Sequence, residues 1–127
     1  MRLTTVLVLL WIGFTSSFSY ALDKPEGNII LTVSGAISAT NSDQDAKFDL
    51  TMLQSLPQYS VTTHNPWTRG SHTYQGFSAA DLAKLLDSKS ERLQVFALND
   101  YMTEIPLSDF VDNGAIFAFL QDGQKME

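Results

Sequence analysis

Between Ile29 and Ile37 the chain reads IILTVSGAI, with apolar and β-branched positions alternating with small or polar ones, a period of two that predicts a strand. The polar stretch SATNSDQDAK that follows reads as a loop. In FDLTMLQSL the spacing changes: Phe48, Met52, Leu53 and Leu56 recur at helical intervals, Asp49 stands where a cap belongs, and Pro57 stops the run. QYSVTT returns to a strand. The stretch TTHNPWTRGSHTYQG, residues 62–76, is broken by Pro and Gly and predicts no regular element. The next helix is the best specified in the chain. Ser78 serves as N-cap with Asp81 three residues on, Phe77 and Leu82 are spaced as a hydrophobic staple, and Leu82, Leu85 and Leu86 form one apolar stripe that should run to about Ser88. RLQVFALND reads as a strand, EIPL as a short extended piece, and AIFAFLQDGQKM as a buried strand entering a tight turn at Asp122-Gly123. Strands outnumber helices without alternating with them, which predicts an α+β fold around a mixed or antiparallel sheet.

The first residues follow a different logic. Arg2 gives a positive start, Leu3 to Phe18 is largely apolar, and Ser19-Tyr20-Ala21 offers small residues at the positions a signal peptidase reads. Residues 1–21 are therefore expected to be a Sec-type signal peptide, cleaved after Ala21, and residues 22–127 a single periplasmic domain that is not itself membrane-embedded. The apolar run is short and interrupted by Thr15, Ser16 and Ser17, unlike a spanning helix. No cysteine occurs anywhere, so neither lipid attachment nor a disulfide is available and the core must come from apolar burial alone.

Charge narrows the partners. The chain carries 8 basic and 14 acidic residues, a formal net charge of −6, and losing Arg2 makes the balance one unit more negative. No basic patch of the kind that displaces counterions can be assembled, which argues against nucleic acid and anionic membrane surfaces.

For chemistry, the two histidines, His64 and His72, have neither the spacing nor the companions of a metal site, so no metal ligand is assigned. No GxSxG elbow is present, and no catalytic residue is assigned. In ALNDYMTEIPLSD, residues 97–109, an apolar strand ends abruptly in Asn99, Asp100 and Tyr101. Those residues suit a turn. Together with Trp67 and Asn65 from the broken stretch they also suit a planar heterocycle, with aromatic faces for the ring and amide or carboxylate groups for its edge. Stacking of such a ring on an aromatic side chain contributes about 1–3 kcal/mol.

FDLTMLQSLPQYSVTTHNPWTRGSHTYQGFSAADLAKLL, VFALNDYMTEIPLSDF and AIFAFLQDGQKM together resemble the oxidoreductase molybdopterin-binding domain, the sulfite-oxidase fold, in its small exported stand-alone form. The likeness runs from about Ile29 to Met126, through the Asn65-Pro66-Trp67 turn, the GFSAADL helix start and NDYxxEIPLSD. In catalytic members a cysteine at the end of the strand that here reads YSVTTHN ligates molybdenum. This chain has Thr63, His64 and Asn65 there and no cysteine, and Arg2 stands alone where a twin-arginine signal would be implied, so no molybdenum is expected. What the resemblance implies is a periplasmic, non-catalytic protein that binds a pterin and modulates an inner-membrane diguanylate cyclase or phosphodiesterase through its periplasmic domain. On that reading Trp67 and Tyr101 wall the ring and Asn99 and Asp100 bond its edge, while Asn65 with Thr68 fixes the loop. Arg69 and His64 either meet an oxygen-bearing tail or are simply solvated. A molybdopterin-dependent oxidoreductase or its degenerate remnant, and a ligand-free interaction module, are the alternatives. The resemblance also implies a further strand after the DGQKM turn; with the sequence ending at Glu127, the C-terminal strand or strands are expected to be missing.

Overall fold

The computed structural model describes residues 21–126, so the signal peptide expected over residues 1–21, apart from Ala21, lies outside the described residues, as does Glu127. The class is α+β: antiparallel sheets with a few short helices. Eight strands and three helices follow in the order β1 (Leu31–Val33), β2 (Ala46–Phe48), α1 (Leu50–Gln54), β3 (Gln58–Thr63), β4 (His72–Phe77), α2 (Ala79–Leu85), β5 (Arg92–Phe96), β6 (Met102–Pro106), α3 (Ser108–Val111), β7 (Phe117–Gln121) and β8 (Gln124–Lys125). The main sheet has the order β3-β4-β7-β8, and β1-β2 and β5-β6 form two-stranded sheets of their own.

The periodic strand expected over Ile29–Ile37 forms only at Leu31–Val33, because Gly35 takes a positive φ of 104° and turns the chain away. The stretch expected to be loop contains β2, whose Ala46 and Phe48 are buried against the core. Its short AKF pattern carries too few periods to stand out.

Helix α1 starts at the cap the sequence predicts but is shorter than its spacing suggests, with Phe48 in β2 and Leu56 beyond its end at Gln54. Asp49 adopts extended backbone at the N-cap, and its Oδ1 accepts the Met52 N–H at 2.9 Å. Its Oδ2 accepts the N–H groups of Glu26 and Gly27 at 2.9 and 2.8 Å, so one buried carboxylate both starts a helix and ties down the N-terminal segment. The Gly27 amide foremost, with Met52 next, holds the Asp49 carboxyl below its ordinary pKa.

The reading of residues 62–76 as irregular is corrected by the structure: His72–Phe77 is β4, and it lies inside the main sheet between β3 and β7. Pro66 and Gly70 break only the turn that joins β3 to β4. Gly76 is there for proximity. A Cβ at this position would lie 1.8 Å from the Phe117 carbonyl oxygen, so only a residue without a side chain lets β4 approach β7 so closely. The register steps at the same point, with Gln75 opposite Leu120 and Gly76 opposite Ala118, leaving Phe119 as the extra residue of a bulge.

Helix α2 is capped by the Ser78 hydroxyl, which accepts the Ala80 N–H at 3.1 Å. It ends earlier than its stripe suggests, at Leu85, with Asp87 at a positive φ of 49°. Leu82 and Leu86 are buried, whereas Leu85 is 44% exposed and lies outside the stripe's buried face. Asp81, spaced for a capping box, instead accepts a hydrogen bond from the Tyr59 hydroxyl at 2.7 Å and links α2 to β3. That carboxylate raises the pKa of the phenol.

Ala46, Phe48, Leu53, Phe77, Leu82 and Leu86 form the buried core, with Phe117 and Phe119 packed against it. The Phe77 and Phe117 rings lie 5.6 Å apart and those of Phe110 and Phe117 5.1 Å, so Phe117 carries the packing from the sheet to α3. Burying a side chain such as Phe48 or Leu86 contributes roughly 1.5–3 kcal/mol. Among the described residues no helix is long and apolar enough to cross a membrane.

Candidate functional site

The residues singled out by sequence fall on two hairpin turns. The first joins β3 to β4. Here the Asn65 Oδ1 accepts hydrogen bonds from the Trp67 N–H at 3.0 Å, the Thr68 N–H at 3.0 Å and the Thr68 hydroxyl at 3.1 Å. Its amide nitrogen donates to the Tyr74 hydroxyl at 2.9 Å, anchoring the turn to β4. Asn65 is thus engaged through both its amide oxygen and its amide nitrogen in organising its own turn. The consequence is a fixed backbone beneath Trp67, whose side chain is 88% exposed and presents its ring to solvent. His64 and Arg69 are exposed on the same turn.

The second turn joins β5 to β6. Asn99 Oδ1 accepts the Tyr101 N–H at 3.3 Å, and Asp100 takes a positive φ of 64°, as Asp does in tight turns. The Asp100 N–H is bonded to the Ala97 carbonyl at 3.1 Å and the Ala97 N–H to the Tyr101 carbonyl at 2.8 Å, closing the loop. Tyr101 is 66% exposed. Phe96 and Met102, opposite each other in the ladder, are also exposed, as is Leu98 between them. Four large apolar side chains therefore crowd one hairpin end.

The structure brings Asn65, Trp67 and Thr68 together, and Asn99, Asp100 and Tyr101 together. Among the described residues no hydrogen bond or ring contact joins the two groups, and the turns belong to separate sheets. Two surface hollows, each of about 480 Å³, lie elsewhere: one between β5, β6 and α3, lined by Glu91, Arg92, Leu107 and Asp112 among others, and one at the β7–β8 turn, lined by Asp122 and Met126. Both are shallow.

A feature that sequence reasoning passed over lies beside the first turn. His72 opens β4 with both ring nitrogens facing acceptors: Nδ1 meets Asp122 Oδ2 at 2.6 Å, and Nε2 meets the Arg69 carbonyl at 3.0 Å. Asp122 Oδ1 in turn accepts the Thr73 N–H at 2.9 Å. With an acceptor facing each nitrogen, the surroundings favour the doubly protonated ring. The Asp122 carboxylate chiefly raises the His72 pKa, and His72, followed by the Thr73 amide, lowers that of Asp122. The signal for this pair was Asp122-Gly123, which forms the two-residue β7–β8 turn with both φ values positive and points the carboxylate back across the sheet.

The positions at the end of β3 supply no soft metal ligand. The Thr63 hydroxyl donates to the His64 carbonyl at 3.3 Å, and the Asn65 amide is engaged in the turn. These positions lack the cysteine thiolate that the resemblance implies for a molybdenum centre of that fold. Among the described residues no group of three or more His, Cys, Asp or Glu side chains is placed to share a metal ion. No family model matches the chain, and no curated protein matches it.

Proposed function

We propose that this chain is a periplasmic, non-catalytic pterin-binding protein of the sulfite-oxidase-like fold, exported by its N-terminal signal, that conveys ligand occupancy to an inner-membrane enzyme of cyclic-di-GMP metabolism. The observation that carries the reading is the Trp67 platform: a large flat ring, mostly in solvent, on a turn pinned by four hydrogen bonds of the Asn65 side chain. A preorganised aromatic face lowers the ordering cost of binding a planar ligand. Tyr101 offers a second exposed ring, and Asp100 beside it an exposed carboxylate suited to the amino and ring N–H groups of a pterin edge. The α+β antiparallel architecture agrees in class with the resemblance, and the absence of any cysteine supports a binding role over molybdenum redox chemistry.

The test is retention of a reduced pterin by the exported protein in equilibrium dialysis, together with elemental analysis of the purified chain. Saturable retention of one pterin per chain without molybdenum supports the proposal. Molybdenum near one equivalent per chain would replace it with an oxidoreductase.

A second reading, a ligand-free interaction module, is favoured by one observation: Phe96, Leu98, Tyr101 and Met102 are all exposed at one hairpin end. On that reading Tyr101 contacts a protein partner instead of a ligand. Binding of the partner's periplasmic domain by pterin-free protein separates the two.

A further inference from the structure

Among the described residues, β3 is the outer strand of the main sheet, with β4 on one side and no strand on the other. Its sequence, QYSVTT, carries no charge and no proline, and it pairs with β4 through six consecutive residue pairs without a bulge. Every residue but Val61 is exposed. Edge strands are normally blunted by charge, proline, bulges or brevity, and β3 has none of these. The opposite edge differs: β8 has only two residues, one of them Lys125.

The charge distribution points to what pairs there. All 14 acidic residues lie outside positions 50–80, although the chain as a whole carries a net charge of −6. Two copies of so acidic a chain repel each other over most of their surfaces, but along β3 no carboxylate of the strand opposes another. The exposed aromatic groups add to this. Tyr59 stands near the start of β3, whereas Trp67 lies beyond its end, in the turn that follows. An antiparallel pairing of two β3 strands about a two-fold axis sets the end of one strand beside the start of the other, and so carries each Trp67 turn towards the Pro57 and Tyr59 end of its mate.

We propose that β3 is a self-association edge, through which two copies join their main sheets into one continuous eight-stranded sheet. Backbone hydrogen bonding along six residues gives register and direction, and the alternation of Ser60, Val61 and Thr62 supplies uncharged cross-strand neighbours. A ladder of six residues is a small contact beside a standard interface of roughly 1,200–2,000 Å², so the dimer is expected to be reversible. This inference does not depend on pterin binding. If the dimer forms, the Trp67 platforms lie at the dimer interface, and ligand and partner copy compete for or share that ring.

Sedimentation equilibrium of the exported protein over a concentration series, with the Ser60→Lys and Thr63→Lys variants alongside, tests this. Both positions are exposed and neither is in the core, so each variant keeps the wild-type circular dichroism and melts within a few degrees of it. The expected result is a monomer–dimer equilibrium for the wild type and a dimer weakened at least tenfold in both variants. A wild type that stays monomeric throughout the series overturns the proposal, as does a dimer that both folded lysine variants leave intact.

Discussion

The imidazole of His72 and the carboxylate of Asp122, fifty residues apart in sequence, meet at 2.6 Å and join the start of β4 to the turn that follows β7. The same ring reaches the Arg69 carbonyl, so one side chain ties the Trp67 turn to the β7–β8 turn at the same end of the sheet. Because His72 gains its partner in the folded state, its pKa rises above the unfolded value of about 6.5. Its stabilising contribution is complete below that value and disappears as pH climbs through the folded pKa. Asp122 runs the other way: its lowered pKa contributes above the unfolded value of about 3.9 and is lost as pH falls through the folded one. The clasp is therefore firmest from about pH 4 to pH 6.5. Melting temperature should decline as pH rises above about 6.5, and in His72→Gln that decline should flatten. Because the pair is partly exposed, the shift is a few degrees. An unchanged slope in the variant contradicts the assignment.

Gly76→Ala should be among the most damaging single substitutions in the chain. The added methyl would sit 1.8 Å from the Phe117 carbonyl oxygen, and the backbone of β4 or β7 must move to admit it. A loss of about 3 kcal/mol or more, or failure to fold, is the expected outcome by urea denaturation. Stability within about 0.5 kcal/mol of wild type would show that the two strands do not approach as described.

Asp49→Ala removes the acceptor of three backbone N–H groups at once, those of Met52, Glu26 and Gly27. Loss of that cap and tether should lower the melting temperature by roughly 5–10 °C. Amide exchange at Glu26 and Gly27 should accelerate together with that at Met52. Faster exchange at Met52 alone would separate the helix cap from the tether. Since the Asp49 pKa is lowered in the folded state, its contribution is present above about pH 3.9 and fades as pH falls through the folded value.

These cases show what was legible before the structure and what was not. Asp49 and Ser78 were readable as caps because capping is local: the acceptor and the amides it serves lie within three residues. Strands β3, β5 and β7 were readable from their own periodicity. Strand β4 was not, because its place in the sheet is decided by Gly76 meeting Phe117, a contact across forty-one positions that no local pattern carries. Asp81 had the spacing of a capping box and went to Tyr59 instead, a choice made by packing between α2 and β3. At the candidate site the chemistry of each turn was legible from Asn65-Pro66-Trp67 and Asn99-Asp100-Tyr101. Their relation in space is set by how separate sheets pack, and the sequence pattern does not encode it.

Leu98→Ser should leave the folded state untouched, since Leu98 is fully exposed at the β5–β6 turn. The expected melting temperature is that of wild type, with reduced binding of a hydrophobic dye such as ANS. Undiminished dye binding would mean that the exposed apolar surface lies elsewhere.

The central claim is that Trp67 is a ligand platform. In protein prepared from residue 22 onward, which lacks Trp11, Trp67 is the sole tryptophan, so its emission reports directly on the ring. Titration of that protein with tetrahydrobiopterin, followed by fluorescence and by thermal melting, is the measurement that tests the claim. Saturable quenching with a rise in melting temperature, the latter lost in Trp67→Ala while that variant remains folded, is the predicted result. An unquenched indole and an unmoved melting temperature at millimolar pterin would contradict it.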